Sequence, residues 1–195
     1  LEPITEPSDK ERRLKLADEK KRIAKAAALL LRPGQACFVD CGTTTGIFAS
    51  ELAILDGVDV ITNSIEVATV IRKTRKDGSL ILIGGQLAQD ATASYGEMAI
   101  EQLRRFNADL AIISPVGIDP EKGLTYFGQP ESEVARVMQS HASRTLVLAD
   151  HTKLGLVSRM VSFHCRAIDT LVTDKISDEE MLCFLDAGVS KVIRA

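Results

Sequence analysis

The chain has 195 residues, 45% hydrophobic and 26% charged, a balance that suits one domain with a full core and excludes a disordered or fibrous protein. Twenty-four Lys and Arg against 27 Asp and Glu leave a net charge of -3. Nucleic-acid binding draws on an excess of positive charge, so these residues alone make a poor DNA-binding body.

From the first residue, the opening Leu1 to Pro7 holds two prolines and little periodicity, and reads as part of something longer. Ser8 followed by Glu11 fits a capping box. A helical pattern then runs through Leu14, Ile23, Ala24, Ala27, Leu30 and Leu31 until Pro33 and Gly34 stop it. Nine basic residues lie between Lys10 and Arg32. They suit either a surface facing nucleic acid or a solvated helix face, and the second is the commoner meaning of such a run. The expected organisation is one domain, with a leader over residues 1–33 and a body over 34–195.

Beyond the leader, β-rich runs at 36–40, 58–62, 79–83, 110–114, 145–149, 168–173 and 191–193 alternate with helical patterns at 45–55, 65–73, 97–106, 131–143 and 178–187. Single helices between apolar strands imply right-handed crossovers. The expected fold is α/β, a three-layer, mainly parallel sheet with helices on both faces. The four cysteines, Cys37, Cys41, Cys165 and Cys183, form no Cys-x-x-Cys pair, and no secretory leader pattern or membrane-length apolar run is present. A reducing cytoplasm is the expected compartment, with no membrane partner.

In an open parallel sheet, ligands bind beyond the carboxyl ends of the strands. After the first strand come Asp40, Cys41, Gly42, Thr43, Thr44 and Thr45, where a glycine turn meets the positive end of a helix. This suits a phosphate, although a threonine N-cap is the plainer use of such residues. Later strand ends bring Asn63 with Ser64, then Gly84 with Gly85, then Gly117 with Asp119, then Asp150 to Lys153. Ser64 is equally suited to capping the next helix, and Gly84-Gly85 to making a sharp turn. Lys153 supplies a cation for a phosphate, held by Asp150 or a nearby Glu. Asp40, Asp119, Glu131 and Glu133 can accept hydrogen bonds from sugar hydroxyls, and residues two apart on a helix diverge, so at most one of Glu131 and Glu133 faces the cleft. No P-loop pattern appears, and the spacing of His, Cys and acidic residues argues against a metal. No cofactor is implied.

Taken together, the runs Phe38-Val39-Asp40-Cys41-Gly42-Thr43-Thr44-Thr45, Val60 to Ser64, Leu82 to Gly85, Val116 to Asp119, Gly123 to Thr125 and Leu148 to Gly155, with a basic run from Glu19, resemble the C-terminal effector domain of DeoR-family transcriptional regulators. The resemblance implies a repressor whose N-terminal helix-turn-helix, absent from these residues, binds an operator. It implies that this domain senses a phosphorylated sugar or related metabolite, in a homodimer or homotetramer, and touches DNA only through that missing reader. It also implies a fold similar to ribose-5-phosphate isomerase and the coenzyme A transferases. The alternative is therefore a sugar-phosphate isomerase. Against it, the stretch from Ile113 to Asp119 lacks two acids, and the Gly123-Leu124-Thr125 loop lacks the lysine, of the isomerase pattern. A coenzyme A transferase needs a glutamate nucleophile that has no clear place here. Ala135, where the family usually has a basic residue, and Pro115, in place of a small one, depart from the family pattern and imply a shifted ligand.

Overall fold

Short apolar strands buried on both faces set the layering of this molecule, described for residues 15–75, 78–89 and 92–195 in a computed structural model. In chain order the elements are α1 (Ala17–Ala28), β1 (Ala36–Val39), α2 (Thr43–Leu52), β2 (Asp59–Thr62), α3 (Ile65–Thr74), β3 (Leu80–Leu82), β4 (Gln86–Leu87), β5 (Ser94–Tyr95) and α4 (Glu97–Leu103). They continue with β6 (Ala108–Ile113), β7 (Gly117–Asp119), β8 (Gly123–Tyr126), α5 (Gln129–Ser140), β9 (Ala142–Leu148), β10 (Met160–Val161), β11 (Thr170–Thr173), α6 (Asp178–Asp186) and β12 (Lys191–Arg194). A single 3₁₀ turn spans His151–Lys153 and another Cys165–Ala167.

Seven strands form one sheet in the order β12-β11-β9-β6-β1-β2-β3, every neighbouring pair parallel. Successive side chains on a strand point to opposite faces. Phe38, Ile61, Ala111, Ile113, Val147 and Leu171 accordingly pack against α4, α5 and α6. Cys37, Val39, Val60, Ile112, Leu146 and Val172 pack against α1, α2 and α3 on the other face. Phe38 and Phe48 are fully buried, one in each layer. Truncating such a side chain to Ala costs about 3–5 kcal/mol. The three-layer parallel architecture is the one expected from the sequence.

Within the described residues the leader helix begins at Ala17, because Leu16 takes a left-handed conformation, φ 56°. The Ser8–Glu11 capping box lies outside the described residues. Two small antiparallel sheets, β4-β5 and β10-β8-β7, were not expected from the sequence. The second of these turns back over the sheet edge and delivers Tyr126 beside β1.

From β1 the chain crosses through α2 to β2, while the path from β6 leads to β9 on the other side. β1 and β6 are hydrogen-bonded neighbours. Their carboxyl ends form the topological switch point, where the loops part and leave a crevice.

Candidate functional site at the carboxyl ends of the strands

Asp40 is the first residue past β1 and lies at the switch point. Both carboxylate oxygens accept the Ser114 N–H across the gap to β6, at 3.1 and 3.0 Å, and the Tyr126 hydroxyl stands 3.5 Å from Oδ2. Asp40 is only 3% exposed. Burial pushes its carboxyl up to about 7, against the opposing pull of the Ser114 N–H, the Lys153 charge and the Thr45 and Tyr126 hydroxyls.

Gly42 precedes α2 with an extended backbone, φ -169°. Its role is therefore close approach and not the tight turn expected of it: a Cβ here would stand 3.1 Å from the Ser114 Cβ and 3.3 Å from its carbonyl oxygen. No side chain caps α2, so the first backbone N–H groups at Thr43, Thr44 and Thr45 present the positive helix end to the crevice. The hydroxyls are less available than the sequence suggests. Thr45 Oγ1 donates back to the Gly42 carbonyl at 2.9 Å, whereas Thr44 Oγ1 is buried without a partner.

Asn63 and Ser64 follow β2. Ser64 caps α3, its hydroxyl accepting the Val67 N–H at 3.2 Å. Asn63 is fully buried; its Nδ2 donates to the Ser94 carbonyl at 3.0 Å and its Oδ1 has no partner. Gly84 is tied to Gln102 through its N–H at 3.1 Å. Gly85 lets the chain pass the Tyr95 carbonyl, 2.5 Å from where a Cβ would lie. Both glycines are exposed and serve the turn into β4.

Lys153 ends the 3₁₀ turn after β9, and its Nζ donates to Ser114 Oγ at 3.2 Å and to the Pro115 carbonyl at 2.7 Å. Asp150, expected with a nearby Glu as a candidate to hold it, caps the turn, its Oδ1 accepting the Thr152 N–H at 3.1 Å and hydroxyl at 2.6 Å. Gly117 packs under the Leu156 carbonyl, 2.2 Å from a hypothetical Cβ. Asp119 sits at the tip of the β7–β8 hairpin, where Oδ1 accepts the Glu121 and Lys122 N–H groups, both at 2.9 Å. The geometry therefore places Gly117 and Asp119 in backbone roles.

On α5 the two glutamates part company. Glu133 accepts from Gln129 Nε2 at 2.6 Å on the outer face. Glu131 has a buried Oε2 without a partner, and its charge acts on the Tyr95 and Tyr126 hydroxyls, as does that of Asp40. Ala135 is core, 1% exposed, so its departure from the family pattern does not face the crevice. The structure thus gathers Asp40, Gly42, Thr43, Thr44, Thr45, Asn63, Glu131 and Lys153 around the ends of β1, β2 and β6. It adds Ser114, Tyr95 and Tyr126, which the sequence reading missed. Asp40, Thr43, Thr44, Thr45 and Asn63 are each 4% exposed or less, and two surface hollows of about 410 and 250 Å³ lie elsewhere, against α3 with β3 and against the strand starts. Among the described residues no helix is long and apolar enough to cross a membrane.

The fold and this crevice define a class. Ribose 5-phosphate isomerase A from Methanocaldococcus jannaschii superposes with a TM-score of 0.53 at 19% identity, over 72% of this chain and 55% of that one. The eIF2B delta subunit from Chaetomium thermophilum gives 0.53 at 13%, over 75% and 52%. These likenesses define a shared α/β fold and nothing about activity.

Sequence kinship is more specific. The DeoR C-terminal sensor domain pattern matches residues 15–175, and the chain belongs to that family. The HTH-type transcriptional repressor GlcR of Bacillus subtilis is 36% identical over 88% of this chain and 65% of its own length. The HTH-type transcriptional regulator GolR of Listeria innocua is 32% identical, over 88% and 68%. The glycerol-3-phosphate regulon repressor of Escherichia coli is 27% identical, over 84% and 65%. The chain thus spans about two thirds of the length of these relatives. It is a sensor domain of the DeoR repressor type and stands with regulators, not with the isomerases that share its fold.

Proposed function

We propose that the crevice at the ends of β1, β2 and β6 binds a phosphorylated sugar or polyol, and that binding controls a DNA-reading segment elsewhere in the whole repressor, which acts as a homo-oligomer. One observation carries this reading. Among the described residues four buried side-chain polar atoms lack a partner, and three of them, Thr44 Oγ1, Asn63 Oδ1 and Glu131 Oε2, stand around this rim. Each such atom costs about 1–3 kcal/mol, a cost that folded proteins tolerate where a ligand supplies the missing bond.

The chemistry of the orphans selects the ligand class. The Asn63 and Glu131 oxygens call for hydroxyl donors, as on a sugar or polyol. The uncapped start of α2 and the Thr44 hydroxyl suit phosphate oxygens, with Lys153 balancing charge. The name of one relative, a glycerol-3-phosphate regulon repressor, agrees with a phosphorylated polyol.

A thermal-shift panel of sugar and polyol phosphates tests the reading. At about 100 times its dissociation constant a ligand adds roughly 2.7 kcal/mol, a rise in Tm of about 5–10 °C for a domain of this size. Flat melting curves across the panel would overturn it. Turnover of ribose 5-phosphate at an ordinary enzymatic rate would restore the isomerase alternative.

A further inference from the structure

Asp174 is the first residue past β11, on the same sheet edge as Asp40, and its side chain is 2% exposed. Its Oδ1 accepts the His151 backbone N–H at 2.8 Å. Oδ2 lies 2.8 Å from His151 Nδ1 and 3.9 Å from an Arg22 guanidinium nitrogen. His151 opens the three-residue turn that ends in Lys153. One buried carboxylate therefore joins the turn carrying the rim cation to the second turn of α1.

α1 runs opposite to the strands. Leu29, Leu30 and Arg32 at its far end border the strand starts around Thr145, Thr170 and Lys191. Its beginning consequently stands at the effector edge, five residues or about 7.5 Å from Arg22. That beginning is irregular. Leu16 is the only non-glycine residue with positive φ among the described residues, a conformation costing about 1–2 kcal/mol. Lys20, 3% exposed, folds its ammonium back onto the Lys15 carbonyl at 2.8 Å.

We propose that Asp174 is a positioning residue that couples the effector rim to the start of α1, through which whatever precedes Ala17 is attached. The proposal rests on the reading of Lys153 as an effector contact. A phosphate that draws Lys153 from Ser114 Oγ and the Pro115 carbonyl displaces a turn too short to absorb the movement internally. His151 moves with it, and Asp174 passes the displacement to Arg22. The strained Leu16 junction is where α1 can exchange one approach of the chain for another. Coupling of this kind is a free-energy difference between two arrangements, and it is measurable from either end.

The experiment uses the 195-residue chain and has one arm without ligand. Arg22→Gln and Lys153→Met are combined in a double-mutant cycle on urea unfolding. The joint effect on the unfolding constant should depart about threefold from the product of the single effects, and the departure should vanish in an Asp174→Asn background. Additive effects would overturn the coupling whatever the ligand. Arg22→Gln alters a half-exposed side chain and keeps the test available if Asp174→Asn folds poorly.

The second arm measures amide exchange over residues 15–22 with and without glycerol 3-phosphate and the members of the sugar-phosphate panel. In the unaltered chain a panel member that raises Tm should change exchange there about tenfold. In Arg22→Gln it should still bind within about threefold but leave exchange at these amides unchanged. A ligand that binds and leaves α1 unaltered in the parent chain overturns the relay. A panel with no binder overturns the effector reading instead, while the ligand-free cycle still decides whether Asp174 couples the two ends.

Discussion

The two edges of the seven-stranded sheet handle their polar groups in opposite ways. At the amino-terminal edge, aspartates take backbone donors of neighbouring strands: Asp59 accepts the Ser79 N–H at 3.2 Å, Asp109 the Ala36 N–H at 2.8 Å and Asp169 the Thr145 N–H at 2.7 Å. At the carboxyl edge Asp40 binds Ser114 in a similar way, yet Thr44, Asn63 and Glu131 keep buried atoms without partners. One edge is stitched for stability. The other gathers three of the four buried orphans among the described residues, the fourth being Arg75 Nη2 on the amino-terminal side, and the difference in number separates residues expected to matter for folding from residues expected to matter for binding.

Asp40 offers the largest test, because it belongs to both descriptions. Its folded carboxyl is raised to about 7 from 3.8, so between these values the folded state binds more protons than the unfolded one. The stability it contributes is complete below about pH 4 and is lost as pH rises through about 7. Between pH 5 and 8 the loss is on the order of 2–3 kcal/mol. Asp40→Asn should remove that slope, measured as the difference between parent and variant in urea unfolding at the two pH values. Equal slopes would show that Asp40 ionises freely and that the crevice is wetter than its packing indicates.

Lys153 comes next and belongs to the binding edge. Lys153→Met should weaken a phosphorylated ligand by about 2–3 kcal/mol, roughly a hundredfold, as expected for loss of a charge-assisted contact. Affinity for the corresponding unphosphorylated polyol should change far less. Calorimetry with the two ligands decides this. Equal losses for both would move the phosphate away from Lys153.

The opposite edge sharpens the comparison. Asp169→Ala leaves the Thr145 N–H without its side-chain acceptor and should cost about 1–3 kcal/mol of unfolding free energy. Ligand affinity should stay within about twofold, since the altered group lies a full strand length from the rim. A large loss of affinity would join the two edges and dissolve the distinction.

Much of this was legible in the sequence, for reasons that also explain what was not. Six of the seven main strands are apolar runs followed by turn or polar residues, so both the sheet and its carboxyl edge could be read, with Asp40, Thr43 to Thr45, Asn63 and Lys153 marked by position alone. β4, β5 and β10 have two residues each, too few to show a period of two. Asp119-Pro120-Glu121-Lys122-Gly123 is a turn signal between alternating runs, and it marks the β7–β8 hairpin. Tyr126 reaches Asp40 across 86 residues of sequence, and only that hairpin's packing brings it there. The thirteen-residue separation of Tyr95 from the end of β3 hides it in the same way.

The glutamates of α5 are the subtlest case and give the smallest expected effect. Glu131, Val134, Ala135 and Met138 follow the i, i+3, i+4, i+7 spacing of one helix face, and the last three are buried. The stripe was present in the sequence and assigns Glu131, not Glu133, to the inner side. Glu131→Gln keeps the shape and one acceptor, so it should weaken a polyol phosphate by about 1 kcal/mol, the worth of one improved hydrogen bond. Glu133→Gln alters an exposed contact with Gln129 and should change affinity by less than about 0.5 kcal/mol. Titration of both variants with the same ligand separates them. If Glu133→Gln carried the larger loss, α5 would have to rotate by roughly half a turn on binding, and the buried orphan at Glu131 would be a packing feature and not a recognition group.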